Sequence, residues 1–84
     1  MREINSLAEF RSIILKNGGF IVITDSTPFT HIHNTNCKLI TETNFKKKTI
    51  TNKKKYGSYF CVNDFSEARK KIPKLMKCRL CNPK

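Results

Sequence analysis

Two pairs of residues in this chain could together hold one metal ion: His33-x3-Cys37 and Cys78-x2-Cys81. Zinc in a tetrahedral site binds thiolate sulfur and imidazole nitrogen, and a Cys-x2-Cys turn brings two sulfurs to one ion with backbone N–H groups aimed at them. The 40 residues between Cys37 and Cys78 form the loop that the metal would close. The spacing therefore predicts one structural zinc ion bound by these four side chains.

Two further residues could compete for the site. His31 could replace His33 as the histidine ligand, but we expect the two imidazoles of an extended segment to face opposite ways, which favours His33. Cys61 lies between Phe60 and Val62 in a strand-like run and is predicted to be a core thiol, not a ligand. Free buried cysteines, a thiol switch and disulfides are the alternatives to a metal site.

The length of 84 residues predicts a single domain over residues 1–84, with a core too small to be secure without a metal, disulfides or a partner chain. The first five residues carry charges of both signs, and no apolar stretch of signal-peptide length follows them. We therefore expect a soluble, cytoplasmic protein with no membrane partner. In that reducing compartment, spaced cysteines are more often metal ligands than disulfides.

The positive charge is concentrated in the second half of the chain. The net charge is +11, and residues 38–84 hold fourteen of the 17 basic side chains but only three of the six acidic ones. Such a field attracts polyanions, of which nucleic acid is the commonest, although lysine-rich surfaces also occur for solubility alone. The candidate phosphate contacts are Lys46, Lys47, Lys48, Lys53, Lys54, Lys55, Arg69, Lys70, Lys77 and Arg79.

The first half of the chain predicts a helix followed by a strand. Ser6 and Glu9 fit a capping box, and a helix over residues 6–16 should end at the sequence Asn-Gly-Gly of residues 17–19. Residues 20–24 are β-branched and short, which predicts a central strand, and residues 25–28 then predict a turn. Residues 30–37 are polar and are predicted to form a loop, after which residues 39 and 40 could start a helical turn.

The second half is less regular. Residues 41–55 are mostly Thr, Asn and Lys, and predict either a mobile loop or, slightly favoured, a hairpin. Residues 56–62 resume strand character, and a second capping box at Asp64 and Glu67 opens a helix that Pro73 stops. The predicted fold is therefore α+β, a small zinc-stabilised domain with a short central antiparallel sheet and two short helices, its zinc core spanning residues 20–83.

The order of these motifs resembles a known family. A β-branched strand ending near Asp25-Ser-Thr precedes Phe29, the ligand-x3-Cys37 pair, an aromatic strand, Phe65-Ser-Glu-Ala68 and a closing Cys78-Arg-Leu-Cys81-Asn-Pro83. Over residues 20–83 this order is similar to the N-terminal zinc domain of Ada-type DNA alkylation-repair regulators. The resemblance implies a small α/β fold that holds one zinc ion. In that family the domain binds the backbone of DNA, and one zinc-bound cysteine takes a methyl group from a phosphotriester.

This chain departs from the family pattern at the residue that reacts. His33 stands where the family has its methyl-accepting cysteine, and an imidazole cannot act as a zinc-activated thiolate. The lysine-rich insertion over residues 41–55 is also longer than the resemblance implies, and the helix over residues 6–16 lies outside it. We therefore expect the fold, the metal and the DNA contact to carry over, but not the reaction.

Three classes of function follow. The first is a structural-zinc module that binds nucleic acid, with DNA favoured, through the phosphate backbone; the chain has only four arginines, so sequence-specific reading is not expected. The second is a small interaction or inhibitor module whose basic surface binds an acidic protein. The third is enzymatic, either methyl capture by Cys37, Cys78 or Cys81 or hydrolysis by zinc-bound water. Hydrolysis is disfavoured because four protein ligands leave no open position for water and no carboxylate lies near either pair to act as a general base. We therefore predict that the chain is not an enzyme.

Overall fold

A five-stranded sheet forms the centre of the protein in a computed structural model, which describes residues 1–16, 18–25 and 30–83. The strands are β1 (Arg2–Ile4), β2 (Phe20–Ile23), β3 (Thr30–Asn34), β4 (Tyr59–Val62) and β5 (Leu75–Lys77). The helices are α1 (Leu7–Lys16), α2 (Glu42–Phe45), which continues into a π-helical segment (Lys46–Thr51), and α3 (Phe65–Lys71).

The strands lie in the order β1-β4-β2-β3-β5, and every pair is antiparallel except β3 with β5. This confirms the predicted α+β class, and it places β2 at the centre of the sheet as predicted. The structure adds a third helix and a parallel strand at one edge.

The two faces of the sheet carry separate apolar clusters. Ile21 and Val22 are consecutive in β2 and fully buried, and they point to opposite faces because side chains alternate along a strand. Helices α1 and α2 cover the face of Ile21 with Phe10 and Phe45, whereas α3 covers the face of Val22 with Ala68.

Both predicted capping boxes are present. The Ser6 hydroxyl accepts from the Glu9 N–H at 3.2 Å at the start of α1, and the Asp64 carboxylate accepts from the Glu67 N–H at 2.8 Å at the start of α3. Each side chain satisfies an N–H that has no partner within its helix. Helix α3 ends before Pro73 as predicted. The predicted helix end at Asn17 and the turn over residues 26–28 lie outside the described residues.

The loop predicted over residues 30–37 is wrong at its start, because Thr30–Asn34 is strand β3. Ile32 is the only strongly apolar residue in the segment and is fully buried, while Thr30 and His33 are also buried despite being polar. The polar composition of this strand masked it, since Thr30 and His33 are buried and His33 belongs to a cluster of candidate metal ligands.

The hairpin or mobile loop predicted over residues 41–55 is also wrong, because residues 42–51 are helical. The Thr41 hydroxyl caps α2 by accepting from the Asn44 N–H at 3.2 Å. Phe45 is fully buried, with its ring stacked on that of Phe10 at 4.6 Å between centroids, and Thr49 is buried one turn later. Two buried residues four apart thus hold this otherwise polar segment as a helix.

Candidate metal centre

The turns that carry the cysteines meet at one end of the sheet because β3 and β5 run parallel. Thr30 pairs with Leu75 and Ile32 with Lys77, so the carboxyl ends of both strands lie side by side. Strand β3 carries His33 near its end and leads to Cys37, while β5 leads directly to Cys78, whose N–H donates to the Ile32 carbonyl at 3.0 Å. The pairing of these strands therefore brings together residues that lie 41 positions apart in the sequence.

The four predicted ligands converge on one point. The ligand atoms of His33, Cys37, Cys78 and Cys81 all lie within 4.8 Å of one another, and the sulfurs of Cys37 and Cys78 are 3.8 Å apart. The first three residues are buried and Cys81 is half-buried. One nitrogen and three sulfurs in this arrangement are consistent with a metal site.

The turns on which the cysteines lie are shaped for thiolates. The Asn34 N–H is 3.2 Å from the sulfur of Cys81, and the Asn82 N–H donates to the Cys78 carbonyl at 2.8 Å, closing the second turn. Asn82 has a φ of 44°, a left-handed conformation that asparagine tolerates better than most residues. Backbone N–H groups therefore surround the sulfurs, as in a metal-binding Cys-x2-Cys turn.

Burial and hydrogen bonding shift the pKa values of Cys37 and Cys78 in opposite directions. Burial raises the pKa of Cys37 to about 11, against the opposing effect of the Leu39 N–H. Burial also acts to raise the pKa of Cys78, but the N–H groups of Cys81 and Leu80 and the neighbouring thiols outweigh it, so the pKa is lowered. The Cys78 thiolate is thus stabilised by the protein before any metal contributes.

His33 is poised as a neutral ligand. Burial, with a smaller contribution from the neighbouring His31, lowers its pKa to about 4, so the imidazole is uncharged at neutral pH. Its Nδ1 atom is buried and has no hydrogen-bond partner in the described part of the chain. A buried polar atom without a partner is costly, and a metal ion in the cluster would remove that cost.

The structure places His33 in the cluster, as predicted, but the expectation that the imidazoles of His31 and His33 face opposite ways is wrong. Residues two apart in a strand point to the same face, and the two rings lie on one side of β3 with centroids 6.4 Å apart. His31 is half-buried, pairs with Ile23 and Met76, and lies outside the ligand group that the described residues form. Distance from the cysteine turns, not strand alternation, separates the two histidines.

Cys61 also lies outside the ligand group found in the described residues. It sits in β4 opposite Ile21, is half-buried, and packs against the apolar cluster on the α1 face. This is the position of a core thiol, as its sequence neighbours predicted.

A cavity of about 700 Å³ adjoins the metal centre. His33 and Cys78 form part of its wall, and Met76 and His31 contribute from the same face of the sheet. Four basic residues line it, two from the π-helical segment and two from around the second cysteine turn: Lys47, Lys48, Lys77 and Arg79. One acidic residue, Asp25, is also present. The fold thus joins the two basic stretches that lie far apart in the sequence.

The ten basic candidates differ in how free their charges are. Lys48 donates to the Thr24 carbonyl at 2.7 Å and lies 3.9 Å from an Asp25 oxygen, and its side chain is 17% exposed. Lys54 lies 3.1 Å from a Glu3 oxygen and is 31% exposed. The other eight are exposed: Lys46, Lys47, Lys53, Lys55, Arg69, Lys70, Lys77 and Arg79.

Two of the exposed cations share an aromatic neighbour. The charged groups of Arg69 and Lys77 lie 5.2 Å and 4.9 Å from the centroid of the Phe65 ring. Phe65 packs in the apolar cluster under α3, so both charged groups lie on that face of the sheet and not on the face that carries His31 and Met76.

No family model, curated protein or solved structure matches this chain. The resemblance to the Ada-type zinc domain therefore remains a prediction. Across the described ranges, no helix has both the length and the apolar character needed to cross a membrane.

Proposed function

We propose that this chain is a structural-zinc module that binds nucleic acid, with DNA favoured, mainly through the phosphate backbone. The observation that supports it best is the cavity beside the metal centre, which is lined by exposed cations from two separate parts of the chain, Lys47 in the π-helical segment and Arg79 in the second cysteine turn. Cations drawn from two separate parts of the chain onto one concave surface create the local positive potential that phosphate groups favour.

The donor set supports zinc as the metal. Two sulfurs bound to one tetrahedral zinc at about 2.3 Å lie about 3.8 Å apart, and the sulfurs of Cys37 and Cys78 are separated by 3.8 Å. Three thiolates and one imidazole form a common structural zinc set, and soft sulfur ligands disfavour magnesium and calcium.

The role of the metal in this proposal is structural, and the chain is not an enzyme. Four protein ligands complete a tetrahedral site and leave no position for an activated water. His33 also occupies the ligand position where the Ada-type pattern has its methyl-accepting cysteine, so the phosphotriester reaction is absent from the proposal. The metal then holds the turn that carries Arg79 and Leu80 next to the π-helical segment.

Lysine dominates the exposed cations, which supports contact with phosphate over base reading. Six of the eight exposed candidates are lysines, whose compact charge lacks the planar fork that arginine offers to guanine. Binding of this kind has little sequence preference and releases counterions.

The test is the binding of a labelled DNA duplex by the zinc-loaded chain over a series of salt concentrations. With about six phosphates neutralised, the slope of log affinity against log salt is about −5. The double variant Lys47→Gln, Arg79→Gln should lower the affinity and reduce the magnitude of the slope by about two.

The matched control is Lys16→Gln, which removes an exposed charge from the end of α1, outside the cavity. It should leave the slope within the error of the wild type. A flat salt dependence, or no binding of DNA at low salt, would overturn the proposal; a partner captured equally before and after nuclease treatment would then favour the acidic-protein alternative.

A further inference from the structure

The cavity beside the metal centre is also unusual in its apolar wall. Six large apolar side chains are exposed among the described residues, and three of them line this one cavity: Leu39 at 47%, Met76 at 40% and Leu80 at 59%. Leu39 and Leu80 belong to the two cysteine turns, and Met76 comes from β5. These three side chains are gathered at one concave surface and not scattered singly, so they form an apolar wall that is available to a ligand.

A phosphate backbone does not explain this wall. Phosphate contact requires cations and hydrogen-bond donors, and it gains nothing from three aliphatic side chains. A ligand that uses the whole cavity has an anionic group for Lys47 and Arg79 and a flat apolar face for the wall. A nucleotide with an unstacked base has both parts.

Double-stranded nucleic acid exposes its phosphates to a protein but not the flat faces of its bases. In a duplex the bases are stacked, and only their edges are reachable in the grooves. The volume of about 700 Å³ is within the range of roughly 300–1,000 Å³ that is usual for small-molecule sites. The cavity is therefore large enough for one base and its phosphate. Only an unpaired base can place its flat face on the apolar wall.

The one carboxylate in the cavity does not oppose such a ligand strongly. Asp25 lies 3.9 Å from the Lys48 ammonium, which offsets its charge. Asn52 also lines the cavity, and its side-chain amide offers both donors and an acceptor of the kind that bind base edges.

We infer that this cavity binds one unpaired nucleotide of a single-stranded nucleic acid. The base packs on Leu39, Met76 and Leu80, while Lys47 and Arg79 hold the adjoining phosphate. The inference rests on the proposed nucleic-acid function and adds to it that the preferred substrate is single-stranded.

The experiment compares the zinc-loaded full chain on a fluorescently labelled 12-residue DNA strand and on the duplex of the same sequence, at one salt concentration. The single strand should bind more tightly. Met76→Ala and Leu80→Ala should each weaken single-strand binding about tenfold, because each removes apolar side-chain area that the base buries, and should change duplex binding by less than about twofold.

Leu15→Ala is the matched control, because Leu15 is 87% exposed on α1 and lines a different cavity. It should change neither affinity. Met76 is not in a cysteine turn, so its variant also guards against a folding defect at Leu80; zinc content and melting temperature are measured for both.

The outcomes separate the two proposals. Equal binding of strand and duplex, unchanged by Met76→Ala and Leu80→Ala but weakened by salt, overturns the single-strand inference and leaves the proposed function standing. Absence of salt-dependent binding to either DNA overturns the proposed function itself. Loss of both affinities in the two alanine variants with normal zinc content also overturns the inference, since the wall would then serve any DNA.

Discussion

The metal centre and the lysine-rich segment over residues 42–55 are both polar in sequence, yet the fold treats them in opposite ways. At the metal centre, polar side chains are buried against one another: His33 is 6% exposed and Cys37 and Cys78 are 4% exposed. In the lysine-rich segment, Phe45 is buried, four of the six lysines are exposed, and the other two are half-buried.

The comparison shows that spacing and composition carry different information. Metal coordination demands particular atoms at particular distances, so the spacing of four residues predicts a geometry. Lysine content predicts only charge, and the position of each charge depends on where Phe45 and Thr49 anchor the segment. Two of its six lysines, Lys48 and Lys54, turn inward to protein partners as a result.

Removal of the metal should have the largest effect on the fold. Structural zinc in small peptides contributes on the order of 10 kcal/mol or more, and the proposed ion would join the end of β3 to the turn that follows β5. Chelation, or Cys78→Ser, should therefore abolish cooperative unfolding and reduce the circular dichroism of the folded state.

The control for that prediction is Cys61→Ser, which alters a half-buried thiol outside the cluster. It should retain one equivalent of zinc and lose only about 1 kcal/mol of unfolding free energy. Coincident melting curves with and without chelator would show that the apolar clusters suffice, and would remove the contrast between the two regions.

Phe45→Ala should have the next largest effect, because it removes the anchor of the lysine-rich segment. The Phe45 ring is fully buried, stacks on Phe10 at 4.6 Å and meets the Tyr59 ring edge-on at 5.2 Å. Truncation of a buried phenylalanine costs about 3–5 kcal/mol, measured here from unfolding at a fixed free-zinc concentration.

Ile50→Ala is the comparison within the same segment, because Ile50 is 48% exposed. We expect a change below about 0.5 kcal/mol there. Similar small losses at both positions would mean that the segment is not held by a buried anchor.

The sequence predicts the helices and strands whose signals are local. The capping boxes that begin at Ser6 and Asp64 predict the starts of α1 and α3, and the β-branched run over residues 20–24 predicts β2. Helix α2 had weaker signals, namely Thr41 as a cap and Glu42 in the first turn, and its many Thr, Asn and Lys residues masked them. The parallel pairing of β3 with β5 links residues more than forty apart, and no local pattern encodes it.

The four metal ligands could be predicted because bonding to one ion restricts their types and spacing. The cavity next to them could not, since it depends on where Lys47 and Met76 meet in space. The need for a glycine at position 57 could not be predicted either, because it depends on two segments that meet only in the folded chain. The φ of Gly57 is 135°, and a Cβ there would lie 2.1 Å from the Thr24 carbonyl oxygen, a contact between distant segments.

Gly57→Ala tests how the lysine-rich segment returns to the sheet. The variant forces a positive φ on alanine and a clash with the backbone of Thr24, so we expect a loss of at least about 2 kcal/mol. Gly18→Ala is the control, because its nearest atom, the Lys16 carbonyl oxygen, lies 3.9 Å from the position of a new Cβ. Equal stability of the two variants would show that the chain can move away from Thr24 freely.

The smallest expected effect distinguishes lysines within one segment. Lys48→Gln removes an ammonium bound to the Thr24 carbonyl at 2.7 Å, whereas Lys46→Gln removes an exposed charge. Partly exposed contacts of this kind contribute up to about 1 kcal/mol, so unfolding should register Lys48→Gln and not Lys46→Gln. Both variants lower the net charge equally, and only the position of the charge differs. If their stabilities were equal, the inward contacts of Lys48 would be energetically silent and all six lysines would count alike as surface charge.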